Sequence, residues 1–159
     1  MVLKRPAVVS FAALAIVLFL GITSLSSGAT SGSIPSSMQE QREAVAKKFV
    51  RDALRTWQER LDLKDWNIRV ELVRPNALEP KTLGNVHWDL NTKSATIGVL
   101  SAYDYTLPTP EMLSDMEFTV VHELVHLHLA SLPRNDASAR TEEHVVNELA
   151  RALLNLAKH

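Results

Sequence analysis

The chain contains no cysteine, and this absence excludes two kinds of site. Without thiols the protein has neither a disulfide framework nor a thiolate-bound metal, so nitrogen and oxygen atoms must hold any metal ion. Strong charge of one sign is also missing, because 17 basic and 18 acidic residues give a formal net charge of −1. No basic run follows Lys47 and Lys48, so the sequence offers no electrostatic footprint for nucleic acid. We expect no nucleic-acid partner.

The sequence also has no apolar run of full membrane-spanning length. The run over residues 7–22 is about 16 residues long, short of the roughly 20 that cross a bilayer as a helix. Two basic residues precede it and small polar residues follow it. Ser27 and Ala29 suit positions −3 and −1 of a cleavage site, so residues 1–29 have the pattern of a signal peptide. We expect an exported protein, periplasmic or extracellular, which contacts a membrane only if 7–22 stays uncleaved as an anchor.

The rest of the chain suits one compact domain. The sequence has 159 residues, of which 46% are hydrophobic, and this length and composition are typical of a single core. The Ser/Gly-rich stretch 30–37 predicts a linker. The domain is therefore expected over residues 38–159.

The apolar pattern of that domain predicts an α+β fold that begins with a long helix. Helical spacing of apolar residues predicts this helix over about 38–61. Alternation of apolar and polar residues then predicts three strands of a small, mostly antiparallel sheet, in the segments DWNIRVELV, GNVHWDL and SATIGVL. Turn residues between the last two segments predict a hairpin.

Two more helices are predicted in the C-terminal part of the chain. Thr109 as the cap and Pro110 at the first helical position can begin one of them, and Ser114 offers a second start of the capping-box type. The segment LPRNDAS interrupts the pattern. Ser138 or Thr141 can then cap a last helix, which runs almost to the C-terminus.

The first of these two helices carries the motif HExxH at residues 122–126. Residues four apart on an α-helix differ by only about 40° around the axis, so His122 and His126 project from one face and can grip one metal ion. Glu123 lies about 100° from His122, where it can reach a metal-bound water without being a ligand and can act as general base. Zn²⁺ would lower the pKa of that water toward about 7 and polarise a carbonyl. The motif therefore predicts hydrolytic chemistry.

A catalytic zinc ion needs a third protein ligand and one open position. The metzincin extension requires a glycine and a third histidine at positions 129 and 132, but this chain has Leu129 and Leu132 there, so that class is excluded. The segment EEHVVNELA supplies Glu142, Glu143 and Glu148 after a short loop. These three glutamates are candidate donors for the third position.

With these residues the chain resembles the gluzincin clan of zinc metallopeptidases, especially its minimal single-domain members. The resemblance implies a zincin-like metallopeptidase domain over residues 38–159, with Zn²⁺ as cofactor and a peptide or protein as substrate. It matches His122, His126 and Glu143 to the metal ligands and Glu123 to the base. It matches Asn147, where thermolysin-like enzymes have an acid, to a residue that supports a motif histidine. In the clan an edge strand beside the motif helix pairs with extended substrate, a part that SATIGVL or GNVHWDL could play.

Helix phase also favours Glu143 among the three glutamates. The apolar residues of the last helix predict a buried stripe, formed by Val146, Leu149, Leu153 and Leu156. Glu143 lies on this stripe, whereas Glu142 leans toward its edge. Both Glu142 and Glu148 stay open as alternative ligands, and a solvated helix face is the simpler role for Glu148.

Four other residues are candidates for parts of the site. His128 lies about 200° from His126 around the helix, so it cannot join the same metal, and a hydrogen-bonding or surface role is expected. Tyr103, Tyr105 and His144 could stabilise an oxyanion. An ordinary packing or surface role is the alternative for each of these three residues.

Two interpretations compete with a peptidase. A non-catalytic zinc-stabilised module of the cell envelope would bind another protein and would close the fourth coordination position. A pair of packed helices without metal would satisfy the histidines through hydrogen bonds alone.

Overall fold

The computed structural model describes residues 9–12, 36–133 and 136–158. The expected leader over 1–29 and linker over 30–37 therefore lie outside the described residues, apart from 9–12 and 36–37. In the described part of the chain, no helix combines the length and apolar character that crossing a membrane requires.

The expectation of an α+β fold is confirmed. The described residues form three helices, α1 (Ser36–Arg60), α2 (Thr109–His128) and α3 (Asp136–Leu156). The strands are β1 (Val9–Ala12), β2 (Asn67–Val73), β3 (Gly84–Asp89) and β4 (Ser94–Leu100). Each of the three predicted strands and each of the three predicted helices is found within a few residues of its expected position, except for the start of α3.

The sheet has the strand order β1-β3-β4-β2 and is mixed. β3 and β4 form the predicted antiparallel hairpin, in which Val86 lies opposite Ile97. β2 runs parallel to β4, with Val70 opposite Ile97. β4 is thus flanked on both sides, so it has no free edge for an added strand. The other edge of β3 pairs with the backbone of β1.

The core lies between one face of the sheet and the helices α1 and α2. Met112, Met116 and Val120 of α2 are fully buried and meet the inward residues of the central strands, of which Ile97 is also fully buried. Burial of each such side chain contributes about 1.5–3 kcal/mol before entropy is counted. The indole nitrogen of Trp57 on α1 donates a hydrogen bond of 2.8 Å to Glu117. This contact fixes α2 against α1 one turn before the HExxH motif.

α3 packs against α2 through a stripe that differs from the predicted one. Val146 and Ala150 are fully buried, whereas Leu149 is 44% exposed and Leu156 is 75% exposed. The predicted stripe is wrong at these two leucines because, among the described residues, α3 packs chiefly on α2 and so buries a narrow face, on which the small Ala150 lies. α3 also begins at Asp136, so Ser138 and Thr141 lie inside the helix.

The alternative start of α2 at Ser114 is also wrong. The helix begins at Thr109, so the predicted cap at Thr109 is wrong by one residue: Pro108 occupies the cap position without a side-chain hydrogen bond, and Pro110 lies in the first turn as expected. Ser114 lies inside the helix, and its hydroxyl donates a hydrogen bond of 3.1 Å to the carbonyl oxygen of Pro110. A serine in a helix interior commonly bonds the carbonyl four residues earlier, so its hydroxyl is not free to cap.

Candidate metal centre

α2 places the two motif histidines together on its buried side. His122 and His126 are both buried, and their Nε2 atoms are 3.0 Å apart. Successive turns of the helix produce this approach, because side chains four residues apart lie one above the other. Two imidazole lone pairs at this distance repel each other unless a proton or a cation lies between them.

α3 brings one glutamate to the same point. Oε1 of Glu143 is 3.1 Å from Nε2 of His126, and Oε2 of Glu143 is 3.5 Å from Nε2 of His122. Ligand atoms of the three residues all lie within 4.8 Å of one another. The three side chains predicted as ligands are therefore adjacent, although they come from two helices.

The dimensions of this cluster fit a small divalent cation. A tetrahedral zinc ion binds nitrogen and oxygen at about 2.0–2.1 Å, which spaces its ligand atoms about 3.3 Å apart. Here the Nε2 atoms of the two histidines are 3.0 Å apart, and they lie 3.1 Å (His126) and 3.5 Å (His122) from the carboxylate oxygens of Glu143. Oε2 of Glu143 is also buried without a hydrogen-bond partner among the described residues. A set of two histidines and one carboxylate is one that zinc accepts in catalytic sites.

Glu142 is adjacent to the cluster but contacts the opposite side of a histidine. Its Oε1 is 3.0 Å from Nδ1 of His126. When Nδ1 donates its proton to this carboxylate, Nε2 presents a lone pair toward the cluster. Glu142 therefore orients His126 and cannot use the same oxygen as a ligand. The third candidate, Glu148, pairs with Arg151 at 2.6 Å on the exposed side of α3.

Asn147 lies next to the other histidine. Its side-chain nitrogen donates a hydrogen bond of 2.8 Å to the backbone oxygen of Glu143. Burial lowers the pKa of His122, and the contacts with Glu143 and Asn147 oppose that effect. The two histidines thus differ at Nδ1: in His126 this atom meets the carboxylate of Glu142, whereas in His122 it is buried and has no hydrogen-bond partner among the described residues. The support of a motif histidine by Asn147 stays a prediction, and the contact of Glu142 was not predicted.

The electrostatics of Glu143 favour its ionised form. Burial by itself would raise the pKa of this carboxyl, but the hydrogen bonds and charges of His122 and His126 outweigh burial and lower the pKa to about 2. An ionised carboxylate is the form that binds a metal. At neutral pH the Glu143 carboxyl is therefore ionised, which is the form that can bind a metal ion.

Glu123 is buried between α2 and the sheet. Its carboxylate is fully buried, and neither oxygen has a hydrogen-bond partner among the described residues. Burial, and then the charge of Glu143, raise the pKa of Glu123 well above its ordinary value. An unpartnered buried carboxylate is costly, and its position beside the cluster of His122, His126 and Glu143 makes Glu123 a candidate functional residue.

Gly84 makes room for this carboxylate, and the sequence analysis did not identify it. A Cβ atom at Gly84 would lie 3.1 Å from Oε1 of Glu123 and would collide with the methyl group of Thr119. Gly84 is the first residue of β3. A glycine in a strand often marks such a close approach, but the pattern alone does not name the approaching residue.

The remaining candidates have other surroundings. Nε2 of His128 donates a hydrogen bond of 2.6 Å to the backbone oxygen of Leu61, in agreement with the expected role. His144 is exposed on α3. Tyr105 is buried, and burial together with the neighbouring Asp115 raises the pKa of its hydroxyl. Tyr103 is 40% exposed in the turn 102–104.

No protein-family model, no curated protein and no solved structure matches this chain.

Proposed function

We propose that this chain is a zinc-dependent hydrolase that cleaves peptide bonds. The observation that carries the proposal is the convergence of His122, His126 and Glu143 beside a buried, unpartnered Glu123. When bound, zinc supplies Lewis acidity, which polarises a carbonyl oxygen and makes water more acidic. The three side chains would hold the ion and leave its fourth position open to substrate.

The role of Glu123 in this proposal is to move a proton. It follows His122 in the chain and is not itself among the three converging side chains. Its free oxygens can accept a proton from the attacking water and pass it to the nitrogen of the departing amine. Peptide hydrolysis then needs no further acid or base, because the two transfers use the same carboxylate in sequence. Because solvent is excluded around Glu123, the electrostatic attraction between its carboxylate and the transferred proton is stronger than it would be in water.

The position of β3 supports an extended peptide as the substrate class. β3 begins with Gly84, which lies against Glu123, so this strand runs beside the proposed centre. The leader proposed over residues 1–29 includes β1, so its removal on export would leave the outer edge of β3 unpaired. An unpaired edge can bind an extended peptide through main-chain hydrogen bonds.

The test measures zinc content and hydrolysis of casein or a peptide library by the purified protein. Glu123→Gln should retain zinc and lose about 10²–10⁴-fold in kcat, whereas His126→Ala should lose zinc. Glu111→Gln, an exposed carboxylate-to-amide change on the same helix, should behave as wild type. Full hydrolysis by Glu123→Gln would remove Glu123 as the base. Stoichiometric zinc without hydrolysis in the wild type would favour a zinc-stabilised binding module instead.

A further inference from the structure

α2 and α3 face each other through two rows of side chains spaced four residues apart. On α2 the row is Phe118, His122 and His126, and on α3 it is Glu143, Asn147 and Arg151. Glu143 meets both histidines, and Asn147 lies next to His122. The next pair along the two helices is Phe118 with Arg151, so this pair borders the proposed metal centre.

Distances place the pair close to the first metal ligand. The ring centroids of Phe118 and His122 are 6.0 Å apart. The guanidinium carbon of Arg151 lies 5.8 Å from the ring centroid of Phe118, within the range of a cation–π contact. Arg151 therefore carries a positive charge beyond His122, on the side of the centre opposite His126.

Arg151 is available to a ligand. Its side chain is 52% exposed. Nη1 donates to Glu148 at 2.6 Å, which uses one of the five N–H groups of the guanidinium. The ring of Phe118 restricts the side chain without consuming donors. A guanidinium held in this way is suited to a carboxylate, which it can bind through two parallel hydrogen bonds.

We propose that Arg151, seated on Phe118, selects substrates that carry a carboxylate close to the bond that is cleaved. This inference rests on the proposed function for its catalytic consequence, although the binding step can be measured separately. The carboxylate can belong to an acidic side chain or to the C-terminus of the peptide. Both present the same chemistry to the guanidinium, and Phe118 provides an apolar surface beside it.

The experiment compares four peptides of one otherwise identical sequence, with an internal Glu or Gln and with a free or amidated C-terminus. Wild-type protein should prefer a carboxylate, and Arg151→Met should raise KM for that peptide about 10-fold or more with little change in kcat. Arg151→Lys should restore part of the preference, because it keeps the charge but not the fork. If replacing the internal Glu of the peptide by Gln removes the preference, Arg151 binds an acidic side chain. If amidation of the peptide C-terminus removes it, Arg151 binds the terminal carboxylate.

Arg60→Met is the matched control. The guanidinium of Arg60 lies 4.8 Å above the ring of Trp57 on α1, so this variant loses the same kind of contact away from the α2–α3 face. It should leave all four KM values unchanged. Glu148→Gln should act in the opposite direction to Arg151→Met, because it removes the competing carboxylate and should lower KM for the acidic peptide about 2-fold. If Arg151 had only a structural role, the two variants would not change KM for the acidic peptide in opposite directions.

A binding measurement separates failure of this inference from failure of the proposed function. The affinity of the four peptides for zinc-loaded Glu123→Gln is measured by calorimetry, with and without Arg151→Met. A carboxylate preference that Arg151→Met abolishes supports the inference even if wild-type protein hydrolyses nothing. Equal affinity for acidic and neutral peptides, or equal weakening of both by Arg151→Met, would overturn it.

Discussion

At the scale of single residues, two neighbours act on the proposed centre from outside the HExxH motif: Gly84 borders Glu123, and Glu142 contacts the far side of the His126 ring. His122, His126 and Glu143 follow from motif spacing, helix phase and the family resemblance, and the structure brings them together. The contact of Gly84 with Glu123 and the contact of Glu142 with His126 do not follow from the sequence. Each acts on a residue distant in sequence or on the far side of a ring, and such contacts depend on how the elements pack rather than on a periodic pattern.

Gly84→Ala should disturb Glu123 from the sheet side. The added methyl group meets Thr119 and Glu123, so we expect a loss of about 1–3 kcal/mol in the free energy of unfolding together with reduced hydrolysis. Gly98→Ala is the control, because its Cβ meets Asn85 rather than Glu123. Denaturant unfolding and kcat are measured for both. Equal activity of the two variants would contradict a specific role for Gly84.

Glu142→Gln should weaken metal binding although Glu142 is not one of the proposed ligands. A neutral amide oxygen accepts the hydrogen bond from Nδ1 of His126 more weakly than a carboxylate does. The imidazole ring is then less firmly oriented, and its Nε2 is less basic. We expect a 10–100-fold loss of zinc affinity, the usual effect of removing such a partner. Competition with a chromophoric chelator measures it, with Glu111→Gln as reference. Unchanged zinc affinity would show that Glu142 does not support His126 as a ligand.

Glu123 should make the zinc-free protein less stable as pH rises. Its pKa in the folded protein is raised by burial and by Glu143, so between its unfolded and folded pKa values the folded state binds more protons. Stability then falls as pH rises through that window. Glu123→Gln should therefore unfold at higher denaturant concentration than wild type at pH 7, with the advantage shrinking toward pH 4. A constant difference across that range would contradict the assignment.

At the scale of elements, periodicity located the helices and strands but not their packing. The predicted stripe on α3 placed Leu149 inside, whereas the structure buries Ala150. The start of α3 was missed because polar residues at Ser138 and Thr141 resemble caps, although the chain is already helical from Asp136. Alternation gave the strands correctly, because burial of one face of a sheet imposes a period of two on any strand.

Metal removal should loosen α3 selectively. Within the described residues α3 packs chiefly on α2, and the proposed ion would join Glu143 of α3 to two residues of α2. At a zinc concentration 100 times Kd the ion contributes about 2.7 kcal/mol. Chelation should lower Tm by several degrees and speed hydrogen exchange in α3 more than in β4. Uniform exchange in both elements would contradict this prediction.

At the scale of the whole molecule, fold class was predictable but strand pairing was not. Composition and element order indicated an α+β domain. The parallel pairing of β2 with β4 was not foreseen, because alternation reports which face of a strand is buried and says nothing about its neighbour. In the described part of the chain, β4 lies between β2 and β3, whereas the outer edge of β3 pairs with the four-residue strand β1.

Removal of residues 1–29 should alter the edge of β3. In the full chain this edge pairs with Val9–Ala12, so a protein that begins at residue 30 should exchange outward-facing β3 amides faster. Added peptide that occupies the edge should slow them again, and hydrolysis should be faster in the shorter protein. Mass spectrometry of both forms measures the exchange. Identical protection in the two proteins would contradict the role of this edge.

The three converging donors span only residues 122–143, on two consecutive helices, while the pocket around Glu123 requires Gly84 from the sheet. Under the proposed function, the metal ligands therefore belong to one helical hairpin, whereas the space around the proposed base also depends on the sheet. Substitutions in the sheet could then change the reaction while the ligands on the hairpin stayed the same.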